Sequence, residues 1–223
     1  MVEATGEKLL VVVGPTCTGK SECALRLAKE FNGEIVNADS MQVYRHFDIG
    51  SAKPQLPVRS EVPHHLIDIA EPEDDFNAAM FQKAADGAIS DMCARKRVPI
   101  IVGGTGLYLR ILLHGIFTVA HDSSVRERLK ERYRNDPAGL YEELRRVDPV
   151  YAAKVSPNDR TRVIRALEVY CTSGASMSAW HERHGFREQR YAVFQVGLRR
   201  ERSELYERIS RRVDAMLQAG WVD

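Results

Sequence analysis

The chain has 223 residues, 44% of them hydrophobic, with 32 lysines and arginines against 31 aspartates and glutamates. This length supports one sizeable core with an appendage, and the balanced charge excludes any argument for nucleic-acid binding from net charge alone. The apolar runs are too short to span a bilayer and the N-terminus carries no secretory pattern, so we expect a cytoplasmic protein without membrane contact. The four cysteines are scattered without a C-x-x-C pair, which argues against a disulfide framework and a zinc site.

The first predicted unit is a strand, a glycine-rich loop and a helix. Residues 9–13 are a short apolar run typical of a buried parallel strand, and residues 21–31 repeat apolar side chains at helical spacing. Between them, residues 14–21 read Gly-Pro-Thr-Cys-Thr-Gly-Lys-Ser and fit the pattern G-x-x-x-x-G-K-[ST] at every fixed position. The sequence therefore predicts a P-loop of the nucleotide-binding, ATP-binding type.

Each fixed residue of this loop has a chemical reason. The glycines allow the backbone N–H groups to turn toward phosphate oxygens, and the helix N-terminus adds its positive end. Lys20 would supply a point charge, and the hydroxyl of Ser21 would be a ligand for Mg²⁺. The loop thus predicts a site for a diphosphate or triphosphate.

A second predicted strand, residues 34–37, leads into the segment 37–44. Ligands bind at the carboxyl ends of strands in open α/β sheets, so Asp39 is expected near the glycine-rich loop. Its carboxylate could hold Mg²⁺ through water, accept a proton as a general base, or cap the following turn. The amide of Gln42 could read the edge of a base.

A possible strand at 65–69, a helix at 76–97 and a strand at 98–102 complete the first half. His64 and His65 are adjacent on an extended stretch and point to opposite sides, so they are not expected to chelate one metal. After residue 102 comes another glycine-rich loop, in which Thr105 is expected to cap the next helix and to contact phosphate or RNA. No carboxylate ends this strand, which weakens an ordinary ATPase interpretation.

From residue 118 the composition changes to arginine-rich helical patterns without a buried strand. Within them, Arg162 and Arg165 share a helix face and could recognise phosphate, although a salt-bridged surface helix is an equal alternative. Residues 191–198 predict a returning strand and 202–217 a closing helix. We therefore predict an α/β fold: a P-loop NTPase-like parallel sheet core (1–117 and 191–223), with helices on both faces and an inserted all-helical domain (118–190).

Six ordered motifs resemble the bacterial tRNA dimethylallyltransferase (tRNA isopentenyltransferase) family. They cover the chain from about residue 9 to its end. They are Gly14-Pro15-Thr16-x-x-Gly19-Lys20-Ser21, Asp39-Ser40-Met41-Gln42-Val43-Tyr44, Asp48-Ile49-Gly50-Ser51-Ala52-Lys53-Pro54, Pro63-His64-His65-Leu66-Ile67-Asp68, Gly103-Gly104-Thr105-Gly106-Leu107-Tyr108, and Arg162-x-x-Arg165-Ala166-Leu167-Glu168.

The resemblance implies transfer of a dimethylallyl group without ATP hydrolysis. The donor would be dimethylallyl diphosphate, and the acceptor the exocyclic N6 amine of the adenosine 3′-adjacent to the anticodon in tRNA. Diphosphate would leave, with Mg²⁺ as cofactor. The partners implied are the tRNA anticodon stem-loop and the prenyl donor, and a monomer is expected.

The resemblance also implies roles for individual residues. The catalytic set would be Asp39 as the base, with Lys20, Thr105 and Arg162. The diphosphate would be bound by Gly14, Thr16, Cys17, Thr18, Gly19, Lys20, Ser21 and Arg212, with Ser21 also on the metal. The tRNA would be bound by Asp39, Ser40, Met41, Gln42, Thr105, Arg126, Thr161, Arg162, Val163, Ile164 and Arg165.

Three other functions remain open at this point. They are an isopentenyltransferase acting on free AMP, ADP or ATP, a P-loop kinase of small molecules, and a non-catalytic RNA-binding module. The arginine-rich insertion favours the tRNA type. Family members are usually longer than this chain, and the family's later Ile-Gly-Tyr motif and further tRNA-binding helices are not in it, so we expect either a fragment or a sequence that stops where the ordered part ends.

Overall fold

A computed structural model describes residues 6–119 and 122–222. By contacts, the chain divides into two compact units, Met1–Gly115 with Glu188–Asp223, and Ile116–Arg187. We call the first the P-loop unit and the second the helical unit. The predicted boundaries, 117/118 and 190/191, fall close to these divisions.

The P-loop unit contains a five-stranded, wholly parallel sheet in the order β3-β2-β4-β1-β5. Its strands are β1 (Lys8–Val13), β2 (Gly33–Asn37), β3 (His64–His65), β4 (Val98–Val102) and β5 (Ala192–Gly197). Its helices are α1 (Lys20–Glu30), α2 (Leu56–Glu61), α3 (Ala78–Ala94), α4 (Gly106–His114) and α10 (Arg202–Gln218). This arrangement confirms the predicted α/β fold.

Strand alternation explains why helices cover both faces of the sheet. Val11 and Ile101 pack in a cluster with α3 and α4, whereas their neighbours Val12 and Ile100 pack in a second cluster with α1. Successive side chains of a strand point to opposite faces, so a strand buried on both sides must be apolar throughout. The apolar runs 9–13 and 98–102 meet this requirement.

The strand expected at 65–69 is wrong beyond its first residue. The observed β3 ends at His65, because Leu66 (φ 63°) and Asp68 (φ 57°) adopt left-handed backbone conformations that end an extended chain. This bend directs residues 66–70 back to the segment after β2. There Tyr44 and Ala70 form an isolated parallel bridge.

The helical unit contains α5 (Ser123–Asn135), α6 (Pro137–Val147), α7 (Pro149–Ala152), α8 (Arg160–Ser173) and α9 (Met177–His184). Each helix begins at a residue whose side chain accepts a backbone N–H from the first turn, and the five caps are Asp122, Asp136, Asp148, Asp159 and Ser176. Such caps satisfy amides that have no partner inside the helix. The apolar stripes, including Leu129, Leu144 and Leu167, form a core of their own.

Among the described residues, no helix has the length and apolar character needed to cross a bilayer.

Candidate active site

The glycine-rich loop joins β1 to α1 and forms one wall of a cavity in the P-loop unit. Gly19 begins α1 with φ 99°, a left-handed conformation that a side chain would strain. Gly14 has φ 148°, and a Cβ there would lie 2.6 Å from the carbonyl oxygen of Leu198. The loop therefore needs glycine at both positions, once for conformation and once for the close approach of the chain after β5.

Lys20 lies against this loop and faces the cavity. Its Nζ donates to the carbonyl of Pro15 at 2.8 Å, while Thr18 Oγ1 donates to the same carbonyl at 2.9 Å. Burial lowers the pKa of Lys20 and the positive charge of Arg212 lowers it further, whereas the carboxylate of Asp39 acts in the opposite direction. Lys20 is therefore close enough to both Arg212 and Asp39 for their charges to change its pKa.

Arginines from the end of the chain form a second wall. Arg208 Nε donates to the carbonyl of Cys17 at 2.9 Å, and Arg200 Nε donates to the carbonyl of Thr18 at 3.0 Å. Arg212 approaches Thr16 Oγ1 at 3.5 Å. The structure therefore places Arg212 at the loop, where the resemblance put it.

Sequence reasoning did not assign Arg200, Arg208 or Arg211 to this site. Arg208 and Arg211 line the cavity together with Arg212. The available signal was spacing, since Arg208, Arg211 and Arg212 lie three and four residues apart in the segment 202–217, which is predicted to be helical, and such residues share a helix face.

Asp39 reaches the same cavity from the end of β2. It lines the wall together with Ser40, Met41 and Gln42. The carboxylate Oδ1 accepts the backbone N–H groups of Met41 at 2.8 Å and Gln42 at 3.4 Å. The turn-capping interpretation and the site interpretation are thus compatible, because one oxygen orders the turn and the residue still faces the cavity.

The loop after β4 closes this part of the site through backbone contacts. Ala38 N–H donates to Val102 at 2.7 Å, Thr105 N–H donates to Ala38 at 3.2 Å, and a Cβ on Gly103 would overlap the Ala38 carbonyl. Thr105 begins α4, but its side chain caps no helix N–H, which corrects the expected role. Instead its hydroxyl accepts the Ser40 N–H at 3.0 Å and donates to Ser40 Oγ at 3.3 Å.

The resulting cavity has a volume of about 880 Å³, within the usual range for ligand sites. It brings together the predicted residues Gly14, Thr16, Cys17, Gly19, Lys20, Ser21, Asp39, Ser40, Met41, Gln42, Thr105 and Arg212. Thr18, also predicted to bind the diphosphate, is 4% exposed and is not among the residues that line the cavity.

His64 also lines this cavity, although no role in the site was predicted for it. Its Nδ1 lies 2.7 Å from the carbonyl of Val62 and donates to it, which leaves Nε2 as an acceptor. Burial lowers the pKa of His64, so the neutral ring is favoured. The adjacent His65 contacts Glu34 instead, at 2.7 Å, so the two histidines act apart.

The residues present fit a magnesium ion bound with a phosphate. Ser21, in the first turn of α1, and Asp39 line the same cavity. The described residues contain no group of three or more histidine, cysteine or acidic side chains that could hold a metal alone. Mg²⁺ ordinarily takes one or two protein ligands and completes its shell with phosphate and water.

The helical unit contains a second, smaller cavity of about 160 Å³. The predicted residues Arg126, Thr161, Ile164 and Arg165 line it, together with Lys130, Arg160 and Glu168. Arg165 lies 3.0 Å from the fully buried carboxylate of Glu168. This arrangement concentrates positive charge on one surface of the unit.

Two predicted RNA contacts on α8 lie elsewhere. Arg162 is mostly exposed and approaches Asp159 at 3.5 Å. Its expected contact with diphosphate stays a prediction. Val163 is completely buried in the core of the helical unit. Its side chain is therefore not available to RNA, because every third or fourth residue of this helix must face the core, and the expected contact stays a prediction.

Comparison with known proteins gives a consistent set of relatives. A family model described as IPP transferase matches residues 42–223, and one described as isopentenyl transferase matches residues 7–62. A tRNA dimethylallyltransferase from Pelobacter propionicus is 50% identical over 218 residues, covering 97% of this chain and 71% of the relative. One from Sorangium cellulosum is 47% identical, covering 99% of this chain and 70% of the relative.

Solved structures agree with these relatives. The tRNA isopentenylpyrophosphate transferase of Bacillus halodurans superposes with a TM-score of 0.64 at 40% identity, covering 96% of this chain and 67% of that protein. A eukaryotic dimethylallyltransferase acting on tRNA gives a TM-score of 0.80 at 33% identity, covering 96% of this chain and 54% of that protein.

Proposed function

This chain belongs to the IPP transferase family, and we propose that it transfers a dimethylallyl group from dimethylallyl diphosphate to tRNA. We infer that the acceptor is the exocyclic N6 amine of the adenosine 3′-adjacent to the anticodon. The observation that carries this proposal is one cavity in which a P-loop with its lysine and arginines faces the carboxylate of Asp39.

The cationic side of the cavity suits a departing diphosphate. When the allylic C–O bond breaks, the electron pair leaves with the diphosphate, and its negative charge increases in the transition state. Loop amides supply fixed N–H dipoles, and Lys20 and Arg212 supply fixed positive charges, so both stabilise such charge without reorganisation. A magnesium ion held by Ser21 would add a Lewis acid to the same phosphates.

The acidic side suits the acceptor. The amine nitrogen forms the new C–N bond and must then lose a proton, and we assign Asp39 as the general base that accepts it. One oxygen of Asp39, Oδ1, is occupied by the turn, which fixes the carboxylate, and we assign Oδ2 as the proton acceptor. Thr105 holds Ser40 beside it, so we assign Thr105 to orienting this turn.

RNA is favoured over a free nucleotide by the cationic cavity of the helical unit. Arg126, Lys130, Arg160 and Arg165 gather there, and guanidinium groups recognise phosphate oxygens well. The adenine must also leave its stack to reach the allylic carbon, which an unpaired anticodon loop permits at a cost of about a few kcal/mol.

The decisive assay combines the protein with dimethylallyl diphosphate, Mg²⁺ and an anticodon stem-loop RNA, without ATP. We expect N6-dimethylallyl adenosine by mass spectrometry, with equimolar release of diphosphate. Modification of AMP, ADP or ATP in place of RNA would instead indicate the free-nucleotide enzyme. ATP-dependent phosphorylation of a product would indicate a kinase.

The substitution Asp39→Asn tests the role of this residue as a base separately from its role in ordering the turn. Asparagine retains an oxygen acceptor for the backbone N–H groups of Met41 and Gln42, so we expect the turn to persist. Transfer should fall by about 10²- to 10⁴-fold, while titration calorimetry should find binding of dimethylallyl diphosphate unchanged. Loss of donor binding in this variant would reassign Asp39 to the metal.

A further inference from the structure

The motif Asp48-Ile49-Gly50-Ser51-Ala52-Lys53-Pro54 has no role in the reaction as described so far. Three of its residues, Ser51, Ala52 and Pro54, line the active-site cavity. Lys53 lies between them but faces away from that cavity, and only 2% of its side chain is exposed. A lysine buried to this degree needs partners that compensate for its lost hydration.

The Lys53 ammonium has three such partners, each from a different stretch of the chain. It donates to the carbonyl of Tyr44 at 2.6 Å, to Asp48 Oδ1 at 2.7 Å and to Asp68 Oδ1 at 2.6 Å. An ammonium has three donors, so this set uses all of them. Lys53 therefore connects the segment after β2, its own loop and the bend after β3 at one point.

Asp68 extends this connection on its other side. Its Oδ2 accepts from Arg59 at 2.6 Å, and its backbone N–H donates to the carbonyl of Gln42 at 3.2 Å. Although burial raises the pKa of Asp68, the hydrogen bonds from Lys53 and Arg59 outweigh it and hold that pKa below its usual value. The acid therefore stays ionised and paired at neutral pH.

The same loop holds the side chain of Gln42 in the cavity wall. Its Nε2 donates to the carbonyls of Ser51 at 2.9 Å and Ala52 at 3.3 Å. These two residues precede Lys53 directly, so the position of their carbonyls depends on where the ammonium fixes the loop. Ala52 has φ 50°, an unfavourable conformation for alanine that the surrounding contacts must hold.

We propose that Lys53 is a positioning residue. Without touching either substrate, it holds Gln42 and the Asp39 turn in the position needed to bind the acceptor base. This inference rests on the proposed transfer to RNA. With a neutral side chain at position 53, two carboxylates lose their common cation and the loop 48–54 is released. The Ser51 and Ala52 carbonyls then no longer orient Gln42, whereas the hydrogen bonds that hold Lys20, Arg208 and Arg212 at the P-loop do not involve this loop.

The test is Lys53→Met, which preserves length and removes the charge. We expect kcat/KM for the stem-loop RNA to fall by about 10- to 100-fold, as for a displaced reacting group. The dissociation constant of dimethylallyl diphosphate should stay within about twofold of wild type, because the partners of Lys53 are Tyr44, Asp48 and Asp68 and not residues of the P-loop. Lys29→Met, an exposed lysine of α1 paired with Glu61, is the matched control and should behave as wild type.

A double-variant cycle with Gln42→Ala separates positioning from general stabilisation. If Lys53 acts through Gln42, Lys53→Met should cost much less in the Gln42→Ala background than in wild type. Equal losses in both backgrounds, or RNA transfer by Lys53→Met at the wild-type rate, would overturn the proposal. Absence of transfer by wild type itself would instead reject the proposed function.

A variant that removes one partner covers the case in which Lys53→Met does not fold. Asp48 is mostly exposed, so Asp48→Asn retains the fold and loosens one of the three contacts. We expect a smaller loss in the same direction, severalfold in kcat/KM for RNA, that again disappears with Gln42→Ala. If the losses in kcat/KM caused by Asp48→Asn and Gln42→Ala were additive in free energy, this result would also contradict the proposal.

Discussion

The P-loop unit and the helical unit each contain a cationic cavity, but the two are built differently. In the P-loop unit the backbone forms the cradle, and arginines are held against it through loop carbonyls, as Arg208 is held by Cys17. In the helical unit the cavity consists of side chains projecting from α5 and α8, such as Arg126 and Arg165. The first cavity thus depends on chain conformation, and the second on side-chain placement.

This difference predicts different responses to substitution. A backbone cradle fails abruptly when a glycine or its central lysine is changed, since its groups act together. A set of separate arginines loses binding in steps, approximately one phosphate contact at a time.

Lys20→Met should give the largest loss. We expect transfer to fall by about 10³-fold, equivalent to about 4 kcal/mol, because the charge nearest the departing diphosphate is lost. Steady-state kinetics with radiolabelled donor measures this. A decrease of less than about tenfold would contradict a central role for this lysine and weaken the contrast between the two cavities.

Acid should destabilise the sheet of the P-loop unit through Glu34. Hydrogen bonds from Arg95 lower the pKa of this carboxylate to about 2 against the opposing effect of burial, and His65 contributes further. Because the folded-state pKa lies below the unfolded value of 4.5, the stabilisation is present above that value and lost as pH falls toward 2.

The expected size of this contribution is about 3 kcal/mol at neutral pH. Thermal melts of Glu34→Gln should show that loss of stability at about pH 7. Between about pH 5 and pH 3 the melting temperature of the variant should fall less steeply than that of wild type, because the variant lacks the titrating carboxylate. Glu22→Gln, whose exposed carboxylate pairs with Arg26, is the control and should change little. Parallel acid profiles for wild type and Glu34→Gln would reject this assignment.

Gly103→Ala tests the backbone closure between β2 and β4. The added methyl would overlap the carbonyl of Ala38, so we expect the free energy of unfolding to fall by about 2 kcal/mol. Gly104→Ala is a close control, since a methyl there has no atom within 4 Å. Chemical denaturation of both variants measures the difference in the free energy of unfolding. Equal values for the two variants would show that the ends of β2 and β4 move apart at little cost.

Arg126→Gln should give the smallest effect and a graded one. We expect RNA affinity to fall by about 1 kcal/mol and the slope of log affinity against log salt to decrease by about 1. Arg145→Gln, on the same unit but paired with Glu142 outside the cavity, is the control. An unchanged salt slope for Arg126→Gln would remove this cavity from the RNA surface, while donor binding should be unaffected either way.

Local sequence signals predicted most elements of the P-loop unit. The apolar runs became β1, β2 and β4, and the glycine pattern marked the loop before α1, because both depend on residues close in the chain. The bend after His65 and the short helix α2 were missed. Left-handed conformations at Leu66 and Asp68 carry no strong sequence signature, and they depend on contacts such as that of Asp68 with Lys53.

Three features could be predicted from the amino-acid sequence: the loop chemistry, the alternation of strands and helices, and the candidate base at position 39. Those features follow from residue type and spacing along a few turns of chain. Tertiary structure alone decided that Arg208 binds the loop, that Thr105 holds Ser40 instead of capping a helix, and that Lys53 fixes the wall behind Gln42. The contacts of Arg208 and Thr105 join residues 191 and 65 positions apart, and Lys53 joins three separate loop segments. Only the packed sheet with its covering helices brings such segments within hydrogen-bonding distance.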